Sequence, residues 1–174
     1  MNSKTWFSKG TMDKLFSFPN PVNDYAARAV ASVVIVLVIL FEITANEFLL
    51  LFITYGFLAR VLTGPTLSPI GLLATKIIVP VLGSPSKLVP GPPKRFAQFI
   101  GLLISFSATI AIFVFDSPTS ARYLMAIICF FASLESILGF CAGCFVFSWL
   151  MKLNLIPESV CESCVIDLKT ADLD

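Results

Sequence analysis

Four of the five cysteines form two Cys-x-x-Cys pairs, Cys141 with Cys144 and Cys161 with Cys164, in a chain of 174 residues that contains no histidine. Without imidazole there is no Ser-His or Cys-His nucleophilic pair of the usual kind and no histidine metal ligand. Two cysteines at i and i+3 share one face of a helix, close enough for their sulfurs to bridge. The chemistry that suits such a pair is thiol exchange, in which one thiolate attacks a partner's disulfide or persulfide and the second thiol resolves the mixed species. Together the four cysteines also read Cys-x2-Cys-x16-Cys-x2-Cys, a spacing within the pattern of a four-cysteine zinc site. The intervening "FVFSWLMKLNLI" resembles a membrane-surface helix more than a zinc-ribbon hairpin. Packing is the plainer role for Cys141 and Cys144, since a free cysteine is among the most readily buried residues.

Reactivity depends on which end of a helix holds the first pair. If Cys141 and Cys144 close the preceding helix, its negative dipole end disfavours a thiolate. If Gly139 breaks the chain and a new helix starts near Cys141, backbone N–H groups favour one. The second arrangement is expected, because only it makes a working dithiol. The tail pair sits among Glu158, Glu162 and Asp167, which raise its thiol pKa and slow it. Cys129 lies twelve residues before Cys141, about 18 Å away along a straight helix, too far to join either pair. It is read as packing.

Glu135 is the one carboxylate well inside the last long apolar segment, where it needs a partner or must take up a proton. Arg28 and Arg60, at the ends of the first two apolar segments, can snorkel to a similar depth. A Glu135 bridge to Arg28 or Arg60 is therefore expected, with a proton or anion site beside the cysteines as the alternative. In the thiol-exchange reading Glu135 tunes the thiol pKa or accepts a proton. The stretch "TGPTLSP", Thr63 to Pro69, breaks the backbone beside Arg60 just before a short apolar helix whose N–H groups can face an anion. It makes Thr66 and Ser68 candidate binding residues, although a rigid loop explains the same letters. "GPPKRF", Gly91 to Phe96, reads as a basic interface stop before the third span.

These residues must be positioned by apolar segments. Hydrophobic residues make up 57% of the chain and charged residues 13%, about half the charge usual in soluble domains, so the solvent is expected to be lipid. A run from Ala26 to about Thr44 has roughly the 20 residues a crossing needs. A second runs from Ala45 to Leu62, and Asn46 and Glu47 make the turn between the two. Seven of the eleven prolines fall between Pro65 and Pro93, and the only apolar piece there, Ile70 to Gly83, is short and carries Lys76. It suits a re-entrant or interfacial helix. Phe96 to Phe115 is the clearest span, and a fourth runs from about Ala121 to Phe140. "FVFSWLMKL" then suits a helix lying along the interface.

The fold class is therefore read as all-α, a polytopic transmembrane bundle of four spans plus a short re-entrant or interfacial helix and an interfacial C-terminal helix. With four spans, one side collects eleven basic residues and the other only Arg122, a strong positive-inside signal. Residues 1–24 form a cytoplasmic tail in this reading, with no cleaved signal peptide. Residues 25–153 form the transmembrane domain with a proline-rich cytoplasmic connector over 63–95, and 154–174 form a cytoplasmic tail bearing the second Cys-x-x-Cys. A net charge of +1 and the absence of a basic patch interleaved with aromatics point away from nucleic acid.

"NPVNDYAARAV" (Asn20–Val30), "ARVLTGPTLSP" (Ala59–Pro69), "GPPKRFAQFIG" (Gly91–Gly101) and "GFCAGC" (Gly139–Cys144) together resemble a prokaryotic integral-membrane family of unknown function. Its members have about four predicted helices and are often found near thioredoxin-like and rhodanese-like genes. The resemblance covers about Pro19 to Leu153 and implies sulfur or thiol chemistry at Cys141 and Cys144. The function read from the whole is thiol–disulfide or sulfane-sulfur exchange with a thioredoxin-like or rhodanese-like partner, needing no cofactor. The tail pair ferries equivalents to the membrane pair. The rivals are a small oligomeric transporter or channel for an anion, using Arg28, Arg60, Thr66 and Ser68, and a scaffold holding zinc on Cys141, Cys144, Cys161 and Cys164.

Overall fold

Asn23 and Asn46 each turn an extended residue into the start of a helix, accepting a hydrogen bond from the backbone N–H two residues on, Tyr25 at 3.1 Å and Phe48 at 2.9 Å. The computed structural model describes residues 19–153 and 155–156. Asn23 opens α1 (Asp24–Thr44), which closes at Ala45 in a left-handed conformation, and Asn46 opens α2 (Glu47–Thr63). Ser68 caps α3 (Pro69–Val81), whose middle winds as a π-helix over Ala74–Ile78. Pro80 explains that wide turn, because its ring crowds the carbonyl four residues back and it has no N–H to return. The next helix, α4 (Gly91–Phe113), begins with Pro92 and Pro93, where missing N–H groups cost nothing. α5 (Pro118–Leu138) ends in a second π-helical turn, Leu134–Leu138, and α6 (Ala142–Lys152) follows after a sharp break.

Among the described residues the fold is all-helical apart from one short ribbon, and that ribbon positions the site. Val22–Asn23 (β1) pairs antiparallel with Leu88–Val89 (β2). Around it the Asp24 N–H donates to the Lys87 carbonyl at 2.7 Å, Asn23 Nδ2 to the Pro85 carbonyl at 2.9 Å, and the Gly91 N–H to Asn20 Oδ1 at 3.0 Å. The first turns of α1 and α4 are thereby held side by side.

Helices α1 and α4 each pack on both α2 and α5, giving a four-helix arrangement with α3 laid on α1 and α2 and α6 on α4. Val38, Phe41, Leu50, Ile53, Ala108, Ala121 and Met125 fill the centre. Interhelical hydroxyl pairs add polar links, Ser32 with Ser136 at 2.6 Å and Thr54 with Thr109 at 3.2 Å. Outside, the surface stays apolar: Phe48 is 80% exposed, and Phe106, Phe113, Phe130 and Trp149 are also exposed. Soluble monomers rarely expose so many large apolar side chains, and the surface is compatible with a lipid surround. Among the described residues three helices, α1, α4 and α5, are long and apolar enough to cross a membrane. With 17 residues, α2 is about 26 Å long, a few Å short of a hydrocarbon core.

Two sequence expectations change here. "GPPKRF" does not precede a helix beginning at Phe96 but forms the first turns of α4, Gly91–Phe113. The second apolar segment is a helix only from Glu47, because Ala45 and Asn46 form the junction.

Candidate functional site

Lys94 stands in the first turn of α4, where the helix dipole disfavours a cation, and it is only 6% exposed. Two carboxylates offset both penalties. Lys94 Nζ lies 2.8 Å from Glu135 Oε1 and 3.0 Å from Asp24 Oδ1, which belongs to the first turn of α1. Arg28 Nε follows at 3.3 Å from Asp24 Oδ2, an ion pair without hydrogen-bonding geometry. A chain of four alternating charges thus binds α1, α4 and α5 at one end of the bundle. The expected bridge from Glu135 to Arg28 or Arg60 is not the pairing found. Lys94 takes that place because the β1–β2 ribbon brings the start of α4 inward.

At this end α5 gives way to α6. Gly139 turns the chain with a left-handed φ of 69°, and the Arg28 guanidinium packs so closely over it that any side chain at 139 would collide with it. Cys141 is then the extended N-cap residue of α6, as the reactive arrangement requires. Gly143 lets α6 approach α4, since a Cβ there would stand 2.6 Å from Ala97 Cα. Cys141 and Cys144 are free, half-buried thiols that hydrogen-bond each other. The Cys144 thiol stabilises a thiolate on Cys141 and lowers its pKa, helped by Lys94 and opposed by burial and Glu135. The same hydrogen bond, reinforced by burial, raises the pKa of Cys144. The pair is therefore polarised, with Cys141 as the nucleophile and Cys144 as the thiol that keeps its proton.

Arg60 faces the same region from α2 and is 4% exposed. Its Nε donates to Gln98 Oε1 at 2.7 Å and its Nη1 to Ser68 Oγ at 3.2 Å, and its guanidinium stacks 4.6 Å from the Phe57 ring centroid. Its Nη2 is buried without a hydrogen-bond partner among the described residues. Ser68 spends its hydroxyl on Arg60 and on the Gly71 N–H at 3.2 Å, capping α3, and the Thr66 hydroxyl donates to the Thr63 carbonyl at 2.8 Å. "TGPTLSP" is accordingly a self-satisfied loop that holds Arg60. Arg60 borders two cavities. One of 70 Å³ reaches Lys94 and Gly71. The other, of 240 Å³, is walled by apolar side chains of α1, α2, α4, α5 and α6 and carries Arg60, Gln98, Glu135 and Cys141 on its lining.

The deciding comparison is with protein families. A family model described as Domain of unknown function (DUF4395) matches residues 22–152. The chain belongs to that family. No curated protein and no solved structure matches it. The stretch matched to DUF4395 contains Asp24, Lys94, Glu135, Cys141 and Cys144 and stops before Cys161 and Cys164.

Within this DUF4395 chain the structure brings together Cys141, Cys144 and Glu135, with Arg28 and Arg60 nearby, and leaves Thr66 and Ser68 in the loop beneath Arg60. Cys129 packs against the main core, as read from the sequence. The tail pair lies outside the described residues. Among the described residues no group of three or more His, Cys, Asp or Glu is placed to hold a metal ion. Sequence reasoning missed Asp24, Lys94 and Gln98. A signal for Lys94 was present, since Pro92 and Pro93 mark a helix start and a lysine in a first turn calls for acidic neighbours.

Proposed function

We propose that this protein is a four-span membrane thiol exchanger that uses Cys141 and Cys144 to pass electrons or sulfane sulfur to and from a thioredoxin-like or rhodanese-like partner. Helix α2 serves as the fourth crossing, and both termini lie on the basic, cytoplasmic side, which puts the dithiol within reach of a soluble partner. The observation that carries the reading is Cys141 at the start of α6 with the free Cys144 thiol beside it on the same helix. A thiolate on Cys141 attacks the partner's disulfide, one partner sulfur leaves as a thiolate, and Cys144 attacks Cys141 Sγ to close the disulfide and release the other partner sulfur; with a persulfide, attack on its outer sulfur releases the partner thiolate, and closure by Cys144 expels that sulfur as hydrosulfide. Glu135 lies close enough to influence both thiols and is the nearby group able to take the Cys144 proton.

Purified full-length protein should reduce the disulfide of a thioredoxin-like protein, and Cys141→Ala with Cys144→Ala should abolish this. Unchanged exchange by the double variant defeats the proposal. The topology is tested in a cysteine-free background. Thr119→Cys should react with an impermeant maleimide from outside intact cells, and Ser86→Cys only after permeabilisation; the reverse pattern inverts the protein.

A further inference from the structure

The 240 Å³ cavity lies inside the bundle and shares a wall with Cys141. Its size suits a ring-sized body, being somewhat smaller than drug-sized pockets. Its lining is apolar apart from Arg60, Gln98, Glu135 and Cys141, and Arg60 carries a buried guanidinium nitrogen that no acceptor among the described residues satisfies. Such a donor in a dry site calls for an acceptor oxygen from a ligand. Gln98, whose oxygen is occupied by Arg60 Nε, offers its amide N–H groups beside it. The occupant must therefore have an apolar ring-sized body and an acceptor oxygen. A fatty carboxylate meets those needs but takes no electrons from a thiol. A quinone meets them and does.

We propose that this cavity binds a membrane-soluble quinone, with one carbonyl oxygen on Arg60, and that the Cys141–Cys144 dithiol reduces it. The inference rests on the thiol-exchange reading and supplies its second half-reaction. Two S–H bonds break and one S–S bond forms between Cys141 and Cys144. The two electrons and two protons released become the two O–H bonds of the hydroquinone. The disulfide then returns to the dithiol by oxidising a partner dithiol, so the net flow runs from the soluble partner into the membrane.

The test uses full-length protein in detergent and a fully substituted short-chain benzoquinone, which has no free ring position for thiol addition. Wild type should lose two thiols per quinone reduced, with a Cys141–Cys144 disulfide found by peptide mass spectrometry. Arg60→Gln should raise the half-saturating quinone concentration about tenfold or more, as expected for losing a charged hydrogen bond. Ile104→Phe, which fills the cavity away from Arg60, should block quinone reduction. Exchange with a thioredoxin-like disulfide, measured in parallel, should survive in Ile104→Phe, and thermal unfolding in detergent reports the folding of both variants. Quinone reduction that is absent in wild type, or unchanged in both variants, overturns the inference while exchange persists. Loss of both reactions in wild type overturns the thiol-exchange reading itself.

Discussion

Lys94 Nζ lies 2.8 Å from Glu135 Oε1, joining the first turn of α4 to the last turn of α5 directly before the chain bends towards Cys141. Lys94 also holds Asp24 at 3.0 Å, so removing it takes the ion-pair partner from Glu135 and leaves Asp24 with Arg28 alone. Breaking a buried pair from one side costs about 3–5 kcal/mol, whereas removing all of its charges together costs far less. Lys94→Met should therefore lower thermal stability in detergent sharply. The triple change Lys94→Met, Glu135→Gln and Asp24→Asn should recover much of the loss. If Lys94→Met unfolds at the wild-type temperature, the pairing is not what holds these helix ends together.

The two thiols should titrate apart. Cys141 is lowered because its thiolate accepts a hydrogen bond from the Cys144 thiol, and Cys144 is raised because it gives that bond. The iodoacetamide rate at Cys141 should therefore climb to its plateau below the usual thiol range near pH 8.5, while Cys144 remains slow. In Cys144→Ala the donor is gone, so the Cys141 midpoint should move upward. Cys144→Ser, which keeps a hydroxyl donor, should move it less. Peptide-resolved alkylation across pH reads both. A Cys141 midpoint that is unmoved in Cys144→Ala removes the polarised pair.

Gly143 is a packing requirement of the site. A Cβ there meets the Ala97 backbone, not a flexible chain end, so Gly143→Val should push α6 away from α4. The expected result is loss of the lowered Cys141 midpoint together with destabilisation of about 1–3 kcal/mol, the usual range for overpacking. An unchanged alkylation profile in Gly143→Val would mean that the approach of α6 to α4 does not set Cys141 reactivity.

The helices and the break at Gly139 were legible because they depend on local features: apolar run length and a glycine after the last apolar turn. The reactive placement of Cys141 followed from that break. The partner of Glu135 was not legible, because it depends on which helix ends meet. That is decided by pairing between Val22 and Val89, far apart in the chain. Arg60 was singled out, but its environment was not legible, since Gln98 and Ser68 reach it from elsewhere in the chain and leave one nitrogen buried without a partner among the described residues. Both π-helical turns also escaped notice. The one in α3 is traceable to Pro80, whereas the one at Leu134–Leu138 has no breaker within it.

The most direct test of the account is to trap the exchange intermediate. Full-length Cys144→Ser and Cys141→Ser proteins are each incubated with an oxidised thioredoxin-like protein and analysed by non-reducing gel and peptide mass spectrometry. The account predicts a stable mixed disulfide on Cys141 in Cys144→Ser and little or none on Cys144 in Cys141→Ser. Equal trapping on both sulfurs, or none on either, contradicts it.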